Sequence, residues 1–309
     1  MRVVLAGATG TLGSELLPLL LAAGHSVTAL TRSPTGARRV RRAGASALVV
    51  DIMDRQALLR AVDGRTADAV IHQATALSTL PRRHRDLYAT DALREEGTAN
   101  LLRAAEELGA RRFVTQSFFL GYGYHDHGDE PVTEDAPFAP PARGEFERHA
   151  RSMRANEQQV RDAHGIEGIA LRYGLFYGPE PSTRALMDMA RARRLPIVRP
   201  GGTTSPIHIA DAAAATVAAL ERGRPGAAYN IADDHPVPFA EYVQALAAAA
   251  GAPPPLRVPA LFLRPLPYMY ALMVRSRIRL SNAKAKDELA WTPKFPSVHD
   301  GLAAMTESR

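Results

Sequence analysis

The stretch Arg2-Val3-Val4-Leu5-Ala6-Gly7-Ala8-Thr9-Gly10-Thr11-Leu12-Gly13 decides the fold. The apolar run Val3 to Ala6 reads as a buried strand, and a helical pattern follows over 11–23. Between them stand three glycines in the spacing G-x-x-G-x-x-G. Glycine lets the chain turn tightly and lets backbone approach a pyrophosphate, whose charge is met by the N-terminus of the next helix. Gly7, Thr9, Gly10, Thr11, Leu12 and Gly13 are therefore read as the cradle of a dinucleotide. The spacing departs from the usual G-x-G-x-x-G, so the strand–turn–helix context carries the assignment.

Outward from this turn, short apolar runs at 2–6, 27–31, 47–50, 69–71, 112–116 and 168–172 alternate with helical patterns at 11–23, 35–43, 54–63, 86–108 and 145–164. That alternation predicts an α/β fold: a Rossmann-type doubly wound parallel sheet with right-handed crossovers and a smaller, mostly helical lobe. The expected division is 1–178 for the cofactor domain, with 203–235 returning to it, and 179–202 with 236–309 for the substrate lobe. Further helices are expected at 211–221 and 239–250, and a strand at 228–231. Segment 120–144, rich in Gly, Pro, Asp and His, reads as a long loop beside the carboxyl ends of the strands, either a binding loop or a plain surface excursion. Pro253-Pro254-Pro255 is a stiff linker. Residues 259–275 read as a buried helix or as the greasy wall of a pocket, and their prolines and Arg264 exclude a membrane span.

The 309 residues include no cysteine, which removes disulfides, thiolate ligands and thiol nucleophiles and fits a reducing cytoplasm. The chain begins directly in a strand pattern, with no signal peptide in view. Only three of the 38 basic residues are lysines. GC-rich coding accounts for that bias, with a basic surface for an anionic partner as the alternative. No helix-turn-helix or aromatic–basic interleaving points to nucleic acid. His125, His127 and Asp129 lie close together but match no zinc spacing, so no metal is expected.

The end of the second strand separates NAD from NADP. An NAD site carries an acidic residue there for the ribose hydroxyls. Here the end reads Thr31-Arg32-Ser33. No carboxylate repels a 2′-phosphate, Arg32 can pair with it, and Arg38 and Arg39 can assist. NADP(H) is the expected cofactor, with NAD(H) as a weaker partner.

Several segments, in order, resemble the extended short-chain dehydrogenase/reductases of the epimerase/dehydratase-like group. Gly7 to Gly13 resembles that family's glycine turn, and Asp51-Ile52 its adenine-contacting pair. His72-Gln73-Ala74-Thr75 resembles the strand end that cradles ribose and pyrophosphate, which implies contacts from Gln73, Ala74 and Thr75. Glu96 to Leu102 resembles the family's "GTxNLL" helix. Leu171 to Pro179 resembles the motif whose backbone meets the nicotinamide amide, implying Tyr173, Gly174 and Leu175. Ile207 to Asp211 and Trp291-Thr292-Pro293 resemble C-terminal landmarks.

The catalytic residues of the family are a Ser or Thr after strand five and a Tyr-x-x-x-Lys pair on the next helix. Registered on Glu157, the tyrosine position holds His149 and the lysine position Met153, and no Tyr-x-x-x-Lys occurs in 140–165. The serine position falls on Phe118, one residue past Ser117. The chain thus resembles atypical members that lack the pair. Those members imply reduction of an angucyclinone-type aromatic polyketide ketone in antibiotic biosynthesis. Ser117, Tyr122 and His149 are the candidate catalytic residues, with Tyr124 beside Tyr122. Proton supply by the substrate's own phenol or by water is the favoured expectation. A non-enzymatic NADP(H) sensor is an alternative from another class, because fold alone does not grant function. A sugar-nucleotide epimerase or dehydratase fits less well without the pair. Relatives dimerise through the helices at 86–108 and 145–164. The second of these carries apolar residues for one stripe only, so a monomer is favoured over a dimer.

Arg32→Ala is expected to erase the preference for NADPH over NADH, read as the ratio of the two kcat/KM values; an unchanged ratio contradicts the assignment of Arg32.

Overall fold

The computed structural model describes residues 1–77 and 81–307. Its centre is a seven-stranded sheet, every neighbouring pair parallel. The strands are β1 (Arg2–Ala6), β2 (Ser26–Thr31), β3 (Ser46–Val49), β4 (Ala69–His72), β5 (Arg112–Phe118), β6 (Glu167–Tyr173) and β7 (Ala228–Ile231). Their spatial order is β7-β6-β5-β4-β1-β2-β3. The order reverses between β1 and β4, and this switch point places a crevice at the carboxyl ends of those two strands.

Helices cover both faces. On one lie α1 (Thr11–Ala22), α2 (Pro34–Arg42) and a later helix, Ile209–Arg222. On the other lie α3 (Arg55–Val62), α5 (Thr98–Glu107) and α6 (Glu145–Asp162). The helix α4 (Tyr88–Ala92) runs into α5 through a π turn, Leu93–Gly97. In α1 the buried residues Leu12, Leu16, Leu17 and Leu20 form one stripe against the sheet. Each such leucine contributes about 1.5–3 kcal/mol by leaving water. The expected strand and helix positions agree with these elements to within about two residues at most ends.

A separate apolar cluster joins Met187, Leu195 and Ile197 to Tyr242, Val243, Leu246, Val298 and Leu302. Ala285, Leu289 and Trp291 instead pack into the core on the α1 face of the sheet. Segment 120–144 begins with a 3-10 turn, Phe119–Tyr122, and is tied to the C-terminal part by bridges Asp126↔Arg277 and Val132↔Leu280. Residues 260–275 form two pieces rather than one helix: a 3-10 turn, Ala260–Leu263, and, after the break at Pro265, a helical piece that starts at Pro267 and runs through a π turn to Arg275. Tyr268 points inward while Leu261 and Phe262 are exposed. Among the described residues no helix is long and apolar enough to cross a membrane, and none groups three His, Asp or Glu as for a metal.

The helix α6 departs from the apolar stripe expected of it. Its buried face runs His149, Ser152, Met153, Asn156, Glu157 and Val160, mostly polar. Each polar side chain is partnered, as burial demands. Asn156 Oδ1 accepts from Thr98 Oγ1 at 2.9 Å and Thr115 Oγ1 at 2.8 Å, and its amide donates to the Gln116 carbonyl at 2.8 Å. Glu157 binds the buried Arg172 through both Nε, at 3.0 Å, and Nη2, at 2.8 Å.

Glu157→Ala strands the buried Arg172 guanidinium, so a loss of about 3–5 kcal/mol is expected in urea unfolding. The double variant Glu157→Leu/Arg172→Met should lose much less, because no charge is left unpaired.

Candidate active site

The glycine turn meets the switch-point crevice directly. Gly7 has φ +92°, a conformation that favours glycine, and a Cβ there would stand 2.5 Å from the Gln73 carbonyl carbon. A Cβ on Gly13 would stand 2.0 Å from the Gly7 carbonyl oxygen. Backbone therefore lines the space where side chains would sit. Gly10 caps α1 with no side-chain bond, so the first-turn amides of α1 are open to an anion. Thr9 and Thr11 are half-exposed beside them, and Leu12 is buried beneath.

At the end of β2, Ser33 caps α2 by accepting from the Gly36 amide at 3.0 Å. This brings α2 and its arginines back toward the turn. Arg39 donates to the Thr9 carbonyl, and Arg38 donates to Thr35 Oγ1 at 2.9 Å. Arg32 is exposed at the strand end. Arg39 is thus tied to the glycine turn, while Arg32 stands at the end of β2 and Arg38 on α2. Beyond β3, Asp51 is exposed and accepts from the Met53 amide at 3.0 Å, while Ile52 is buried and its carbonyl accepts from Asn100 at 2.9 Å.

At the end of β4 the side chains divide. Ala74 and Thr75 border the crevice as half-buried and exposed residues. Gln73 turns into the core and donates to the Tyr173 hydroxyl at 3.0 Å, which also shares a 2.6 Å bond with Thr216. His72 is buried, and that burial pushes its pKa down to about 4, so it stays neutral. After β6, the Gly174 amide donates to the Ile231 carbonyl at 2.9 Å and the Leu175 amide to the Ser205 carbonyl at 2.8 Å. A Cβ on Gly174 would meet that Ser205 oxygen at 2.2 Å. Ser117, near the end of β5, has a buried Oγ with no hydrogen-bond partner among the described residues. The glycine cradle, the open helix amides and this orphan hydroxyl together fit a bound dinucleotide.

Next to this groove the wall is apolar and aromatic. Phe118 and Phe138 pack against a cluster of Ala139, Ala150 and Met153. Tyr124 packs on Phe146 with ring centroids 4.6 Å apart and lies 6.1 Å from the Tyr268 ring. The serine and lysine positions of the sequence register, Phe118 and Met153, therefore share one apolar patch. Tyr122 faces inward: its hydroxyl donates to Asn230 at 2.7 Å and accepts from Arg172 at 2.8 Å, and burial pushes its pKa up to about 12. Burial also holds the Tyr124 phenol well above its ordinary value.

His149 lies one turn into α6 and is buried, and its Nδ1 stands 2.7 Å from Asp91 Oδ2. Its Nε2 stands 3.0 Å from Nδ1 of His84, in the turn His84–Leu87 before α4. Asp91 Oδ1 accepts from Ser152 at 2.8 Å, and Arg94 Nη1 lies 3.7 Å from the same oxygen. Burial raises the Asp91 carboxyl, but the His149 bond and charge, Arg94 and Ser152 outweigh it and hold it below the usual range. Sequence reasoning singled out His149 but neither Asp91 nor His84. One signal was available: Asp91 and Arg94 stand three apart on a helix, at i and i+3 of one face, and that face continues into Leu87 before them and Leu101 after them.

A sequence model described as "NAD dependent epimerase/dehydratase family" matches residues 3–232. A Streptomyces protein named 3-diazoavenalumate denitrifying reductase is 37% identical, over 98% of this chain and 99% of that protein. A Stigmatella aurantiaca protein, 4-hydroxy-2-methyl-3-oxo-4-farnesyl-3,4-dihydroquinoline-1-oxide ketoreductase, is 28% identical over 81% of this chain and 74% of its own length. The crystal structure of a Thermotoga maritima UDP-glucose 4-epimerase superposes with a TM-score of 0.80 at 19% identity, covering 99% of this chain and 98% of that one. At that identity it speaks for the fold.

Gly13→Ala places a methyl group on the Gly7 carbonyl, so the turn must open. Titration calorimetry is expected to show dinucleotide affinity reduced by at least about tenfold, which corresponds to about 1.4 kcal/mol.

Proposed function

The chain belongs to the NAD-dependent epimerase/dehydratase family, and we propose that it acts there as an NADP(H)-dependent reductase of a bulky aromatic ketone. It is an oxidoreductase, in keeping with relatives named as reductases. Those names weigh against a non-enzymatic sensor. One observation carries the substrate class. Near the carboxyl end of β5 the half-buried Phe118, Tyr124 and Phe146 form an aromatic patch backed by the buried Met153 and Tyr268, where a sugar would need polar partners. Such a wall suits a fused-ring substrate, of which an angucyclinone-type polyketide is an example. The Stigmatella relative is named for a ketone on a bicyclic ring bearing a farnesyl chain.

Arg32, Arg38 and Arg39 give the cofactor assignment its basis: a cationic edge with no acid at the end of β2 favours a 2′-phosphate over bare ribose hydroxyls. NAD(H) is the weaker alternative. When bound, the nicotinamide supplies the hydride. The chain's own residues then have three tasks. The glycine turn and α1 amides hold the pyrophosphate. Ser117 and the backbone at Tyr173, Gly174 and Leu175 border the nicotinamide end. The aromatic wall orients the acceptor and excludes water. Asp51, Ile52, Gln73, Ala74 and Thr75 complete the groove, with Gln73 acting through Tyr173 rather than by direct contact.

A second reading is favoured by the Streptomyces relative, 37% identical, whose name describes removal of nitrogen from a diazo compound. Hydride addition to an aryl diazonium, with loss of dinitrogen, develops no oxyanion. A site without a Tyr–Lys pair suits that chemistry too.

NADPH consumption with a panel of fused-ring aromatic ketones, an aryl diazo compound and UDP-glucose separates these readings. Turnover of a fused-ring ketone, with NADPH preferred to NADH, is expected. Turnover of the diazo compound alone selects the second reading. Epimerisation of UDP-glucose with no ketone reduced contradicts both.

A further inference from the structure

We propose that Asp91, His149 and His84 form a relay that hands a proton to the substrate oxygen, with His84 as the catalytic acid and His149 and Asp91 as positioning residues. The proposal rests on the ketone reading above. It departs from the sequence expectation that the substrate or water supplies the proton.

The hydrogen-bond inventory fixes the order of the relay. An ionised carboxylate only accepts, so at 2.7 Å from Asp91 Oδ2 the Nδ1 of His149 carries hydrogen. In neutral His149 the Nε2 is then an acceptor, and His84 Nδ1, 3.0 Å away, donates to it. The outer end of the chain is therefore Nε2 of His84, the one ring nitrogen of the pair that neither contact occupies. The inner end is sealed: His149 is 1% exposed and Asp91 2%. His84 is half-buried, and its ring meets Phe146 at 4.6 Å edge-on and Tyr268 at 5.9 Å. Both rings belong to the aromatic wall proposed to hold the substrate. The relay thus begins in the core at the family's tyrosine position and ends at that wall.

The chemistry balances without a further reagent. As the carbonyl carbon is reduced, its oxygen takes up negative charge. The N–H bond of protonated His84 breaks, the proton bonds to that oxygen, and the electron pair stays on nitrogen. His84 is left neutral and takes its next proton from water, to which its ring is open. Asp91 and His149 fix the ring's orientation and share the positive charge while His84 holds the proton, much as a carboxylate orients a catalytic imidazole elsewhere. Arg94, buried 3.7 Å from Asp91, limits how much charge the carboxylate lends.

The groups facing the pair are Glu145 and Arg148 from α6, Asp91 and Arg94 from the α4 segment, Tyr88, and Tyr268 from the C-terminal part. Burial, and next the charge of His149, lower His84 below its ordinary 6.5, while Glu145 and Asp91 oppose them. The acid form is therefore present at low pH and is lost as pH rises through a value below 6.5. The kcat for ketone reduction should fall along the same limb.

Two measurements on the full chain test this. Histidine-ring NMR, without substrate, is expected to show His84 and His149 titrating as a coupled pair, with a downfield His149 Nδ1–H signal that Asp91→Asn removes. In kinetics, His84→Gln is expected to lower kcat by about 10²–10³-fold, the range of a lost general acid, with KM and NADPH affinity little changed. The same variant should abolish the fall of kcat with rising pH. His84→Gln alters a half-buried position, so the fold should survive it, whereas His149 is in the core. Independent titration of the two rings overturns the relay, as does His84→Gln with wild-type kcat and pH profile. A wild-type chain that reduces no ketone sinks the functional reading and with it the role of His84 as acid; the coupling of the rings is still decided by the NMR arm.

Discussion

A helix that buries polar side chains must find each of them a partner, and α6 meets that demand at every turn. His149 and Ser152 are answered by Asp91, Asn156 by Thr98, Thr115 and the Gln116 carbonyl, and Glu157 by Arg172. A buried polar group left alone costs about 1–3 kcal/mol, and a charge costs more. These bonds therefore fix the depth, rotation and register of α6 against β5, β6 and the α4–α5 segment. They also fix what the helix buries behind the crevice: an imidazole at one turn and Met153 at the next. The π turn at Leu93–Gly97 belongs to the same constraint, since it lies between Asp91 and Thr98, both turned toward α6.

The cofactor side depends on a different constraint, close approach. Gly7 and Gly13 leave no room for a Cβ, so the β1–α1 turn can pack against β4 and leave a groove lined by backbone amides. The two constraints meet at the carboxyl ends of β4, β5 and β6. One supplies a place for phosphate charge. The other supplies an apolar wall and a hydrogen-bonded histidine pair. In relatives with a tyrosine and a lysine, one helix carries both the acid and the cation that tunes it. Here α6 contains no Tyr-x-x-x-Lys, and the charges packed beside His149 include Asp91 in α4 and Arg94 in the π turn that follows it.

Much of the fold was legible because local pattern and tertiary role agree. β1 and β4 are near-continuous apolar runs, as strands buried on both faces must be. The glycine turn was legible because its spacing and its flanking elements say the same thing. Legibility failed where burial was polar. The sequence of α6 shows one short apolar stripe and no reason for Ser152, Asn156 and Glu157 to join it, since they and His149 are buried against partners up to 61 residues away. The pair His84 and His149 is separated by 65 residues, and no local periodicity links them. Gln73 was read as a groove residue from its neighbours, yet its amide is drawn inward by Tyr173, 100 residues further on. The segment 260–275 was ambiguous for a simpler reason: the break at Pro265 divides its apolar pattern into two pieces, each too short to show a face.

As proposed above, this chain moves a hydride to an aromatic acceptor from a site without the Tyr–Lys pair. The most direct measurement is isotopic. The protein is incubated with NADPH deuterated at nicotinamide C4, in separate experiments on each face, and a fused-ring aromatic ketone, and the product is examined by mass spectrometry and NMR. One deuterium on the carbinol carbon, from one face only, is the predicted result. A product without deuterium from either face, or bound NADPH that is never oxidised, would contradict the account.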